Sequence, residues 1–254
     1  LFLKKNNSQA HMVYKNLRDE NKIYELGQIT CLKNIYNQIE EPIFADIGSF
    51  VGYFAFYFTL LDQQKNNVFA IESNKDHVDS IIKGIKKNNF SKIKILNKIL
   101  SNQKTKLLIA DELTIDPKKF DHIKNNKNED LLLDDLSKIN SEKKFYLDDS
   151  TTLDDVFIDK FPNILKIDVH GAEGLVLDGA DNLLKNHVKY IILELHAESY
   201  LERYSPGFSK NKIIVNLIDK GFSCYYIGDN NIKDFNKEKI SDCIKIYNNE
   251  KKMK

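Results

Sequence analysis

The chain has 254 residues, of which 42% are hydrophobic and 11% aromatic, enough for one large α/β domain or two small ones. Its 38 Lys and Arg nearly cancel 37 Asp and Glu, which argues against a dedicated nucleic-acid binder, a class that shows a basic excess. Cys31, Cys224 and Cys243 are scattered, odd in number and without a C-x-x-C pair, which disfavours a disulfide framework and a zinc site and fits a reducing compartment.

Residues 1–20 are polar and mixed. Ile23, Leu26, Ile29, Leu32, Ile35 and Tyr36 then recur at steps of three and four, one face of an amphipathic helix. Residues 1–40 are therefore expected to form a helical lead-in to a main domain at 41–254. Pro42 ends the helix, "IFADIG" follows as a buried strand, and "YFAFYFTLL" (53–61) reads as the first buried helix. That run is far short of a membrane span. No signal peptide is visible, so a cytoplasmic location is the expectation, although the chain opens on Leu1 rather than Met.

Next come a second strand, "VFAIES" (68–73), a helix, "KDHVDSIIKGIKKNN", and a third strand, "KIKILNKIL" (92–100). "KTKLLIAD" is a candidate extra strand. Residues 111–146 are polar and acidic without a clear period and read as an insertion. The rhythm resumes with a short helix, "TTLDDVFID", a fourth strand, "NILKIDV", a helix, "AEGLVLDGADNLLKN", a fifth strand, "VKYIILELH", and a helix closed by Gly221. "FSCYYIG" and "CIKIY" are too close for a helical crossover and should pair antiparallel. The whole predicts an α/β, doubly wound seven-stranded sheet, five strands parallel plus a C-terminal antiparallel hairpin.

Ligands of such sheets sit beyond the carboxyl ends of the central strands. The loop there is "FADIGSFVGYFAF" (44–56), in which Gly48 and Gly52 allow a sharp turn and close approach of backbone to ligand. A dinucleotide fingerprint needs G-x-G-x-x-G and presents amides to pyrophosphate. Here the spacing is G-x-x-x-G, and Asp46 would repel pyrophosphate and favour an ammonium. Glu72 ends the second strand, where an acid accepts ribose hydroxyls. A ribose with an ammonium and no phosphate points to S-adenosylmethionine. Asp46, Gly48, Ser49, Phe50, Gly52, Glu72 and Ser73 are the candidate cofactor-binding residues. The blander reading stays open at this point: glycine turns are common, and an acid at a strand end can simply cap the next helix.

"TTLDDVF", then "ILKIDVHGAEGLVLDGADNLLKN", then "YIILELH", all after the opening "DIG" loop, resemble the FkbM family of S-adenosylmethionine-dependent methyltransferases over roughly 43–196. The most specific block is 166–180. The resemblance implies a class I methyltransferase (Rossmann-like) fold and O-methylation of a hydroxyl, often on a sugar or a secondary metabolite. The family block usually has a second acid where this chain has His170.

Methyl transfer needs alignment of the acceptor with the S–CH₃ bond, and a hydroxyl acceptor must also lose its proton. His170 and His196 fall at the carboxyl ends of adjacent central strands and suit a base near neutral pH. Asp168 is placed to orient either one or to take the proton itself. These three are the candidate catalytic residues. Glu173 reads as a helix-start acid at least as well as a catalytic one. A divalent metal on Asp168, Glu173, Glu194 and His196 is another way to acidify a hydroxyl, but no ligand spacing requires it. The expected partner is a small-molecule or glycan acceptor, with no nucleic acid and no membrane span. The insertion and 196–208 are expected to form the acceptor pocket, where Tyr200, Tyr204 and Phe208 either stack on a sugar ring or pack a lid. The competing readings are an N- or protein methyltransferase and an inactive methyltransferase-fold scaffold.

Overall fold

The computed structural model describes residues 23–62, 67–110, 145–225 and 227. In chain order the elements are α1 (Leu26–Tyr36), β1 (Ile43–Ile47), α2 (Tyr53–Leu61), β2 (Asn67–Glu72), α3 (Lys75–Asn88), β3 (Ile93–Asn97), β4 (Ile99–Leu100), β5 (Lys106–Ala110), β6 (Phe145–Thr151), α4 (Leu153–Val156), β7 (Ile164–Ile167), α5 (Glu173–Asp178), α6 (Asp181–Asn186), β8 (Tyr190–Leu193), α7 (Glu198–Tyr204) and α8 (Lys210–Asp219). The five expected parallel strands form one sheet in the order β3-β2-β1-β7-β8. The chain runs outward from β1 and returns to β7 on its other side, so the strand order reverses between these two. That reversal opens the crevice in which doubly wound sheets hold ligands.

Strand side chains alternate between faces. Phe44, Ala70, Ile164 and Ile192 join Ile29, Leu32, Phe54, Phe58 and Ile81 in a core under α1–α3. Phe44 and Phe58 stack at 4.7 Å, and Tyr36 meets Phe58 edge-on. The alternate residues Ala45, Ile47, Phe69, Ile71, Leu165 and Ile167 join Val176, Leu183, Leu201, Ile213 and Leu217 in a core under α5–α8. By this parity Asp46, Glu72 and Lys166 belong to the α1–α3 face. The same alternation that builds the core therefore gathers polar groups on one side of the crevice.

Helix ends are capped locally. Asn74 accepts from the amides of Asp76 and His77 to start α3, Thr152 starts α4, and Ser209 starts α8. Asp154 accepts from the amides of Asn182 and Leu183 at the start of α6, so part of the "TLDD" segment is structural.

The structure modifies several of these expectations. The stretch 92–100 is not one strand: Ile99 and Leu100 leave the main sheet and pair with Ser150 and Thr151 in a second sheet ordered β4-β6-β5. The candidate extra strand exists as β5, paired antiparallel with β6, which the sequence reading did not identify. The helix over 172–186 is two, broken at Gly179, where a Cβ would lie 2.2 Å from the Ser101 carbonyl oxygen. The seven-strand count is not reproduced: the main sheet has five strands among the described residues. Gly221 at φ +93° ends α8, Phe222 N–H bonds back to Leu217 O, and 222–225 have no regular structure. The second strand of the expected hairpin and most of the 111–146 insertion lie outside the described residues.

Candidate active site

The β1–α2 loop lies directly on the end of β7. Gly48 sits at φ +75°, and a Cβ there would be 1.8 Å from the Asp168 carbonyl oxygen, so only glycine fits. Gly48 and Ser49 donate their amides to Ile71 O at 3.0 Å. The buried Ser49 hydroxyl donates to Asp46 O at 2.6 Å, which makes it an internal brace of the loop. Phe50 holds φ +52° and donates its amide to Glu72 Oε2 at 2.7 Å. Glu72 Oε1 accepts from Asn74 N–H at 2.8 Å, and the Ser73 carbonyl accepts from Asn97 Nδ2. Gly52, at φ +80°, packs on Phe56 and Ile81.

Asp46 has two unlike oxygens. Oδ2 accepts from Ala55 N–H at 3.1 Å and caps α2, while Oδ1 is buried without a partner. Burial pushes its carboxyl up to about 6, with Lys166 opposing. Across the crevice Lys166 is buried, pairs with Asp168 Oδ2 at 3.1 Å and lies 4.6 Å over the Phe54 ring. Burial lowers the affinity of Lys166 for its proton, but Asp168, Asp46, Glu25 and Glu194 outweigh it and the net shift is upward. Glu25 enters from the left-handed turn before α1, and burial pushes it up to about 7. Gln28 of α1 donates weakly to Glu194 at 3.5 Å.

Asp168, His170 and His196, predicted together, converge. Asp168 Oδ1 is 3.7 Å from His170 Nδ1 and 3.9 Å from His196 Nε2, and the two imidazole rings are 4.8 Å apart. Burial would raise the Asp168 carboxyl, but Lys166 and the two histidines hold it below the ordinary carboxylate range. His170 itself holds φ +54°. His196 Nδ1 lies 2.9 Å from Oε1 of the fully buried Glu173, which also accepts from Gly171 N–H at 3.0 Å. Burial opposes protonation of His196; Glu173 and Asp168 override it and raise its pKa.

Glu173 is thus a partner of His196 and not merely a helix-start acid. No sequence signal links Glu173 to His196, 23 positions further on and on a separate element. Lys166 and Glu25 were likewise not singled out as site residues. Tyr200 and Tyr204 continue outward from His196, ring to ring. Phe208 instead packs where a Gly174 side chain would sit. Among the described residues, the five buried side-chain oxygens without a partner are on Glu25, Gln28, Asp46, Asp168 and Glu173, all around this crevice. No helix among the described residues is long and apolar enough to cross a membrane.

A family model described as the methyltransferase FkbM domain matches residues 43–224. The chain belongs to the FkbM methyltransferase family. The matched span holds the glycine loop, the Lys166–Asp168 pair and both histidines of this FkbM domain; α1 and Glu25 precede it. Among solved structures the chain is similar to a methyltransferase FkbM from Methylobacillus flagellatus KT (17% identity, TM-score 0.45, covering 70% of this chain and 37% of that one). It is also similar to a precorrin-6y C5,15-methyltransferase from Geobacter metallireducens GS-15 (13%, 0.42, 87% and 76%). A third is an S-adenosylmethionine-dependent methyltransferase from Clostridium acetobutylicum ATCC 824 (11%, 0.40, 79% and 61%). The chain spans little more than a third of the length of the Methylobacillus protein. No curated protein matches it.

Proposed function

We propose that this FkbM domain is an S-adenosylmethionine-dependent O-methyltransferase acting on a hydroxyl of a sugar, glycan or secondary metabolite. The observation that carries the reading is the contact of the Gly48 loop with the Asp168 carbonyl, which sets the cofactor loop against the Asp168–His170–His196 rim. A methyl donor in the loop and an acceptor at the rim would share one crevice.

The residues fit the cofactor. The unpartnered Asp46 Oδ1 offers an ammonium site, and Gly48 and Gly52 let backbone approach a ligand. Glu72 and Ser73 stand at the end of β2, the ribose position of such sheets. When bound, S-adenosylmethionine supplies an activated methyl group with a neutral leaving group. The chain's own work is to align the acceptor and to draw off its proton. Glu173 fixes the His196 ring through Nδ1, which directs Nε2 toward Asp168. The rim is where the acceptor hydroxyl sheds its proton.

Charge narrows the acceptor. Asp168, Asp46, Glu25 and Glu194 surround Lys166, and Glu173, Asp168 and Glu194 surround His196. With more carboxylates than cations, such a crevice disfavours phosphorylated acceptors and favours neutral polyols or amines. The test is transfer of a labelled methyl group to a panel of neutral, amino and phosphorylated sugars and phenols. Labelled ether products from neutral or amino acceptors support the reading. Cofactor binding with label only on nitrogen or on protein side chains contradicts O-transfer, and binding with no transfer to any acceptor favours a scaffold.

A further inference from the structure

We propose that Asp168, His170 and His196 form a binding site for one divalent transition-metal ion. One ligand atom from each of the three lies within 4.8 Å of the others. With Asp168 Oδ1 3.7 Å from His170 Nδ1 and 3.9 Å from His196 Nε2, a single ion fits within roughly 2.5 Å of all three. Closing to the usual metal–nitrogen distance takes shifts of a few tenths of an ångström.

Independent features support the site. Asp168 Oδ1 is buried without a hydrogen-bond partner, while Oδ2 is held by Lys166. The ligating oxygen is thus free and the carboxylate is fixed. Glu173 lies behind His196, accepting at its Nδ1, the arrangement by which a carboxylate orients a metal-binding imidazole and leaves Nε2 for the ion. His170 is kept in the left-handed region next to Gly171, whose missing side chain admits the Tyr200 carbonyl. Surrounding structure thereby imposes a backbone that an ordinary loop would avoid. Two imidazoles and one carboxylate select zinc, cobalt, manganese or iron over magnesium and calcium, which prefer oxygen ligands. The set differs from that suggested by sequence: Glu173 orients His196, Glu194 meets Gln28, and His170 completes the trio.

The binding claim stands apart from the transfer reading; only the role of the ion rests on it. A cation at the rim would polarise an acceptor hydroxyl bound to it and ease loss of its proton.

The experiment is calorimetric titration of chelator-treated protein with Zn²⁺ and with Co²⁺, without cofactor, beside a titration with S-adenosylmethionine. One ion per chain is expected, with a Co²⁺ visible spectrum showing nitrogen and oxygen ligation. His196→Asn and His170→Asn, the latter tolerant of positive φ, should each weaken binding at least tenfold while far-ultraviolet circular dichroism stays native. Glu173→Gln should weaken it about tenfold or more. No saturable binding at millimolar metal, or affinity unchanged from wild type in both histidine variants, overturns the site. Cofactor binding without metal binding contradicts the metal site alone; metal binding without cofactor binding contradicts the transfer reading alone.

Discussion

Asp46 divides its two oxygens between the fold and the proposed cofactor site. Its Oδ2 caps α2 through Ala55 N–H, and its Oδ1 is left buried and unpartnered. Both the capping and the ammonium readings of this acid are compatible with that geometry. Asp46→Asn retains an acceptor for Ala55 but removes a buried charge. Its apo form should melt no lower than wild type at pH 8 in a thermal scan, while S-adenosylmethionine affinity falls at least tenfold by calorimetry. At the rim, His170→Ala and His196→Ala should each reduce turnover by a hundredfold or more and leave cofactor affinity within about threefold, read by single-turnover transfer and by calorimetry. The spacing of the "DIG" loop and the strand ends made Asp46, Asp168 and both histidines legible. Glu173 was not, because its pairing with His196 depends on how α5 packs beside the end of β8.

At the scale of elements, β1, β2 and β7 are buried almost throughout and read directly as apolar runs, whereas β3 and β8, at the two edges of the sheet, are only partly buried. β6 was hidden because "FYLDDST" mixes apolar and acidic residues and pairs with β5 and β4 at the margin of the fold. The break between α5 and α6 was hidden because it depends on the Ser101 backbone pressing on Gly179, a contact across 78 positions of sequence. Two glycine substitutions separate conformational strain from close approach. Gly221→Ala, with no atom within 4 Å of the new Cβ, should cost about 1–2 kcal/mol by denaturant titration and spare cofactor binding. Gly48→Ala, blocked by the Asp168 carbonyl, should cost more and abolish binding. Phe58→Ala removes the ring stacked on Phe44 and should cost about 3–5 kcal/mol in the same titration.

For the whole molecule, the alternation of strand residues builds two apolar cores and gathers acids around one buried lysine. This arrangement sets a pH dependence. Burial raises Asp46 to about 6 and Glu25 to about 7, so both carboxyls hold a proton more tightly folded than unfolded. Below the ordinary carboxylate pKa neither costs stability. As pH rises through about 6 and 7 the folded protein must carry two buried charges, and the cost grows to its full value. Melting temperature of the apo protein should therefore fall between pH 5 and pH 8, and Asp46→Asn should flatten the curve. A rise over that interval would contradict the charge assignment. An ammonium beside Asp46 favours the ionised carboxylate, which gives the most direct measurement: S-adenosylmethionine affinity by calorimetry at pH 5 and at pH 7.5. One site per chain is expected, tighter at pH 7.5 and lost in Asp46→Asn. No binding at millimolar cofactor, or affinity indifferent to Asp46, would contradict the assignment of this crevice to the methyl donor.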